Sequence, residues 1–126
     1  MQIKKMWQIL VAEDDNTKFV LIEYDISDTF GSEAQITRVK TVAELKRVYS
    51  EQGYNNFSFI VLDANLKDGA TLEFLDEILA REFKKPIIAN SSNHEHLMTQ
   101  MKFGCTHEGG LNLKNVLADI RSELIS

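Results

Sequence analysis

Short apolar runs alternate with stretches of helical periodicity along the whole chain, and this restricts the fold more than any other feature. Trp7–Ala12 (WQILVA), Ala34–Val39 (AQITRV), residues 57–62 (FSFIVL) and Ile87–Ala89 behind Pro86 read as strands. Residues 105–108 form the weakest strand candidate, because Thr106-His107-Glu108 is polar. Between them, Phe19, Ile22, Ile26 and Phe30 recur at helical spacing and are closed by Gly31. A second helix carries Val42, Leu45, Val48 and Tyr49, with Thr41 as its N-cap and Gly53 at its end. Leu72, Leu75, Leu79 and Phe83 mark a third after an Asp68-Gly69 turn. Leu97, Met98 and Met101 mark a fourth that stops at Gly104, and Leu113, Val116, Leu117, Ile120 and Leu124 a fifth. Five strands alternating with five helices predict an α/β chain with a parallel sheet covered on both faces, because parallel neighbours need crossover helices. The 126 residues fit one domain, 1–126, with no linker, repeat or low-complexity segment.

Composition narrows the function classes. With 44% hydrophobic and 26% charged residues the chain can bury a core and stay soluble. A net charge of −5 and the lack of any basic run argue against direct nucleic-acid binding. The lone cysteine, Cys105, cannot form an internal disulfide, and with three histidines it offers no zinc spacing. A reducing, cytoplasmic setting is expected. The N-terminus lacks a signal-peptide pattern, and no apolar stretch approaches the ~20 residues that span a bilayer, so no membrane association is expected.

In open parallel sheets, ligands collect at the carboxyl ends of the strands where strand order reverses. Here the first strand runs into Glu13-Asp14-Asp15, the third into Asp63, and the fourth into Asn90-Ser91-Ser92. Any one of these acids could simply cap a helix or solvate a loop. Acids ending two neighbouring strands, with hydroxyls ending the next, would instead converge on one place. Such a cluster repels itself and raises its own pKa values. A hard divalent cation with oxygen ligands relieves that repulsion, and Mg²⁺ suits a site of few carboxylates.

These segments resemble the receiver domains of bacterial two-component response regulators. Ile9-Leu10-Val11-Ala12-Glu13-Asp14-Asp15 is similar to the family's first strand and acidic pair. The run from Val61 to Gly69 (VLDANLKDG) is similar to its phosphoacceptor strand and following loop. Pro86-Ile87-Ile88-Ala89-Asn90-Ser91-Ser92 is similar to its fourth strand. The resemblance spans essentially the whole chain. It implies a doubly wound, flavodoxin-like (βα)₅ fold whose five-stranded parallel sheet has the order 2-1-3-4-5. It implies that Asp63 accepts a phosphoryl group, that Glu13, Asp14, Asp63 and the carbonyl of Asn65 hold Mg²⁺, and that Ser91 contacts the phosphoryl group as a switch. The implied partners are a histidine kinase or phosphotransfer protein and a downstream protein target.

The last third departs from the family pattern. The lysine that receivers carry at the end of the fifth strand falls at Leu111, followed by Asn112 where proline is usual, and the aromatic switch position falls at Glu108. The fourth helix region is about two residues short. Lys67 and Lys114 are the candidate substitute cations, against the plainer reading that both are solvated surface lysines. His94 and His96, two apart on a helix, point to different faces and suit a solvated helix start rather than a metal site. His107 reads as structural or exposed, Cys105 as a small core residue, Trp7 as strand-flanking packing and Gly109-Gly110 as a flexible turn. Asn90-Ser91-Ser92 fits the glycosylation pattern, which has no consequence in the cytoplasm.

Three functions compete. One is a phosphorylatable, stand-alone receiver that acts through a protein partner and is not an enzyme. A second is a degenerate receiver serving as a phosphorylation-independent binding module, favoured by the missing lysine and aromatic. The third, a phosphohydrolase using Asp63, lacks a second acid two residues on, since Asn65 stands there, and has no cap segment.

Overall fold

A computed structural model describes residues 6–53 and 56–125. Strand β1 (Trp7–Ala12) is followed by α1 (Asn16–Phe30), β2 (Ala34–Val39), α2 (Val42–Gln52) and β3 (Phe59–Leu62). A small antiparallel hairpin, β4 (Asn65–Leu66) and β5 (Gly69–Ala70), leads into α3 (Leu72–Ala80). The chain continues through β6 (Ile87–Ala89), α4 (His94–Lys102), β7 (His107–Glu108) and α5 (Leu113–Ile125). The main sheet is five-stranded and parallel in the order β2-β1-β3-β6-β7, which is the expected 2-1-3-4-5 arrangement of its own strands.

The near-continuous apolar runs follow from burial on both faces of the sheet. Alternate residues point to opposite sides. Ile9, Val11, Phe59, Val61 and Ile88 pack with Ile22, Ile26 and Phe30 of α1 and Leu113, Leu117 and Ile120 of α5. Their neighbours Leu10, Ala12, Ile60, Leu62, Ile87 and Ala89 pack on the other side with Leu45 and Tyr49 of α2, Phe74, Leu75 and Ile78 of α3, and Leu97 of α4. Each large side chain buried this way contributes roughly 1.5–3 kcal/mol. Helix starts follow local chemistry. Asp15, Thr41 and Asn93 accept hydrogen bonds from the backbone N–H groups of Lys18, Glu44 and His96, capping α1, α2 and α4.

Several boundaries differ from the expectation. Phe57 and Ser58 precede β3 rather than belonging to it, although Phe57 is fully buried and stacks on Tyr49 at 6.3 Å between ring centroids. Phe83 lies beyond the end of α3, yet it is buried against the edge of Tyr49. The Asp68-Gly69 turn belongs to a hairpin that periodicity did not disclose. Its Asp68 side chain accepts hydrogen bonds from the N–H groups of Val42 (2.6 Å) and Ala43 (3.2 Å), locking the hairpin to the start of α2. These bonds hold the Asp68 carboxyl below its ordinary value. Among the described residues, no helix is long and apolar enough to cross a membrane.

Candidate functional site

The order of the sheet makes β1 the switch point, with β2 on one side and β3 on the other. The acids that follow β1 and β3 therefore meet at one edge. Backbone pairing continues past the strand ends to hold them: the N–H of Glu13 donates to Val39 O at 3.1 Å, and that of Asp63 to Ala12 O at 3.1 Å. Glu13, Asp14 and Asp63 each offer a carboxylate oxygen within 4.8 Å of the others. The third acid, Asp15, caps α1 instead.

Glu13 is 1% exposed, a rare depth for a carboxyl group. One oxygen, Oε2, accepts from the N–H of Asp15 at 3.2 Å, while Oε1 finds no hydrogen-bond partner among the described residues. Burial, reinforced by the charge of Asp63, pushes the Glu13 carboxyl up to about 7, against the opposing pull of the Asp15 N–H and the Lys18 charge. Asp63 is also raised, chiefly by burial and further by Asp14; the N–H of Ala64 and the charge of Lys18 act the other way. A buried carboxyl oxygen without a donor, beside two more carboxyl groups, is a donor set that a hard cation fits.

Asp63 is oriented by its own loop. Its Oδ1 accepts from the N–H of Ala64 at 2.8 Å, and its carbonyl accepts from Thr71 Oγ1 at 2.6 Å. Thr71 is fully buried, and its hydroxyl also donates to Ala64 O at 3.1 Å. This residue clamps the turn after β3 to the start of α3. Sequence reasoning missed it, since a threonine before a helix reads as an ordinary cap, and here it makes no cap bond. Asn65 sits in β4 with an exposed side chain 3.5 Å from His96 Nδ1.

Ser91 follows β6, is 5% exposed, and accepts from the N–H of Asn93 at 3.1 Å through Oγ. A cleft of about 820 Å³ opens beside it, lined by Lys18, Leu21 and Tyr24 of α1, by Ser91 and Ser92, and by Gly109–Leu111. Leu111, at the position of the missing lysine, projects fully into solvent. The two glycines before it could not carry a side chain in its place. A Cβ on Gly109 would lie 2.8 Å from both Asn90 Oδ1 and Ile88 Cγ2, and one on Gly110 would lie 3.2 Å from Ser91 O, at a φ of +66°. Asn90 Oδ1 accepts from the Gly110 N–H at 2.9 Å, so the segment expected to be a flexible turn is tied down. Glu108 is exposed on β7.

Among the described residues, no ion pair joins either candidate substitute cation to these acids. Lys114 pairs with Asp28 at 3.1 Å, between α5 and α1, and that pairing raises its ammonium above its ordinary value. Lys67 lies exposed in the turn of the small hairpin, its N–H directed at Lys40 O at 3.4 Å. The lysine whose charge acts on both Glu13 and Asp63 is Lys18, in the first turn of α1, with Nζ 3.2 Å from Ser92 Oγ. Nothing in its sequence context set it apart from an ordinary surface lysine.

No protein-family model and no curated protein matches the sequence. The fold is nevertheless similar to solved receiver domains. The phosphorylated cyanobacterial phytochrome response regulator RcpA superposes with a TM-score of 0.74 at 19% identity, covering 96% of this chain and 95% of that one. The BeF₃-activated DrrB receiver domain gives 0.71 at 18% identity, covering 96% and 99%. The Mn²⁺-bound form of the response regulator Rcp1 gives 0.69 at 18% identity, covering 92% and 90%. The chain has the flavodoxin-like fold of response-regulator receiver domains.

Proposed function

We propose that the chain is a receiver domain acting in a phosphorelay, accepting a phosphoryl group on Asp63 with Mg²⁺ and altering its protein-binding surface in response. The observation that carries this reading is Glu13: a buried acid with an unpartnered oxygen, converging with Asp14 and Asp63 at the switch point of a receiver fold. Ionising such a group without a counter-charge is costly, and a bound cation would remove that cost. Phosphorylated, BeF₃-activated and Mn²⁺-bound states among proteins of the same fold support the same chemistry.

Glu13, Asp14 and Asp63 would hold the ion, with the Asn65 carbonyl completing the protein's share. Mg²⁺ supplies neutralisation of the phosphoryl oxygens when bound. Asp63, held by Ala64 and Thr71, presents a carboxylate oxygen as nucleophile. The O–P bond forms as the P–N bond of a donor phosphohistidine breaks, and that bonding pair leaves with the imidazole. Ser91, beside the cleft, would donate its hydroxyl to a phosphoryl oxygen and release Asn93 at the start of α4. The histidine kinase or phosphotransfer donor and the downstream target both meet the chain as protein partners in the cytoplasm, and the chain itself turns over no substrate.

Beryllofluoride, which mimics an aspartyl phosphate, tests this directly. With Mg²⁺ it should raise the melting temperature of the wild-type protein and leave Asp63→Asn unmoved; equal responses in both would overturn the assignment. One observation favours a second reading, a phosphorylation-independent binding module. The end of β7 offers solvent-exposed Leu111, two glycines and Glu108 where a receiver has its lysine and aromatic. That reading requires both proteins to be indifferent to beryllofluoride.

A further inference from the structure

A phosphoryl group on Asp63 would replace its single carboxylate charge with nearly two, a net gain of about one, at an edge that already holds Glu13 and Asp14. The end of β7 supplies no cation, because Leu111 faces solvent and Gly109 and Gly110 sit too close to Asn90, Ile88 and Ser91 to be replaced by a longer residue. Lys114 is committed to Asp28 and Lys67 belongs to the hairpin beside Lys40. Lys18 approaches from the opposite wall of the same cleft. Its backbone N–H is held by the Asp15 cap at 2.9 Å, which fixes where its side chain leaves α1. Its Nζ spans to Ser92 Oγ at 3.2 Å, next to the Ser91 that ends β6. A neutral hydroxyl is a weak partner for an ammonium group, and a phosphoryl oxygen a far stronger one.

We propose that Lys18 is the cation that pairs with the phosphoryl group on Asp63, reaching the site from the first turn of α1 in place of a lysine at the end of the last strand. The inference rests on the receiver reading above. Lys18 exchanges Ser92 Oγ for a phosphoryl oxygen and keeps its proton throughout. With acetyl phosphate as donor, the Asp63 O–P bond forms, the acetate O–P bond breaks, and acetate leaves with the electron pair.

The test compares Lys18→Gln, Lys18→Arg, Lys67→Gln and Lys114→Gln with wild type in two measurements. One is the rate of phosphoryl uptake from acetyl phosphate at saturating Mg²⁺, followed by intact mass; the other is Mg²⁺ affinity by calorimetry. Glutamine suits a helix nearly as well as lysine, so the fold should survive. Lys18→Gln should slow uptake on the order of 10- to 100-fold. It should also bind Mg²⁺ at least as tightly as wild type, because a competing positive charge has gone. Arginine should recover part of the rate. Uptake by Lys18→Gln at the wild-type rate, a fall in Mg²⁺ affinity matching the fall in rate, or a loss confined to Lys67→Gln or Lys114→Gln would each overturn the role of Lys18 alone. Wild-type protein that takes up no phosphoryl group would overturn the receiver reading and this inference together.

Discussion

Gln100 of α4 donates from Nε2 to the carbonyl oxygen of Leu62, the residue before Asp63, at 2.8 Å. Both ends of this bond are buried, so the helix that follows Ser91 is fastened to the strand that presents the proposed phosphoacceptor. The Leu62 carbonyl also accepts from the N–H of Asn90 at 3.0 Å, whereas Gln100 Oε1 finds no partner among the described residues. Gln100→Leu should therefore change stability by only about 1 kcal/mol, since no carbonyl is orphaned and one unpartnered oxygen is removed. Gln100→Ala, which leaves a void, should cost about 1–3 kcal/mol. Urea denaturation distinguishes them, and equal losses would mean that the hydrogen bond matters more than the packing.

The loop after β7 tolerates change unevenly. Gly109→Ala should destabilise the protein by about 1–3 kcal/mol, because the new methyl group meets Asn90 and Ile88 at 2.8 Å and the Ala89 carbonyl at 3.0 Å. Leu111→Lys, at a fully solvent-exposed position, should stay within about 0.5 kcal/mol. Thermal melts of the two variants check this, and a costly Leu111→Lys would show that the side chain packs against something in solution.

Metal-free stability should fall with rising pH. Glu13 titrates at about 7 in the folded chain against an ordinary value of 4.5, so the folded state holds a proton that the unfolded state has released. Well below the unfolded value both states are protonated and nothing is lost. As pH climbs from there through about 7 the folded state loses stability, on the order of 3 kcal/mol, and then levels off. Asp63, raised as well, acts in the same direction. Glu13→Gln should flatten this dependence and be more stable than wild type at about pH 8 without metal. Denaturation midpoints across pH supply the measurement; stability that rises through this window would contradict the assignment.

Mg²⁺ should offset that loss by occupying the site and pairing with the ionised Glu13 and its neighbours. At a concentration 100 times the dissociation constant it should add about 2.7 kcal/mol. Asp14→Ala and Asp63→Asn should each lose most of that increment. A thermal shift that persists in both variants would place the ion elsewhere.

The fold was legible because its constraints are local. Trp7–Ala12, Phe59–Leu62 and Ile87–Ala89 are apolar on both sides, and Thr41, Gly31 and Gly53 punctuate the helices. The convergence of Glu13, Asp14 and Asp63 was legible too, since strand order brings their strand ends together. The small hairpin was not, because two-residue strands leave no periodicity; its stability comes from Asp68 bonding to α2 across 25–26 residues. Thr71 and Lys18 also stayed hidden. One acts through a backbone contact eight residues back, the other through a contact 74 residues away, and neither distance leaves a mark in local composition.

The central claim is that Asp63 takes up a phosphoryl group. Intact-protein mass spectrometry after incubation with Mg²⁺ and acetyl phosphate tests it most directly, with Asp63→Asn beside the wild type. The account predicts a gain of one phosphoryl mass in the wild type, none in the variant, and none in the wild type when Mg²⁺ is withheld. An unmodified wild type, with Mg²⁺ binding confirmed and hydrolysis too slow to hide the product, would contradict it and leave the binding module as the function.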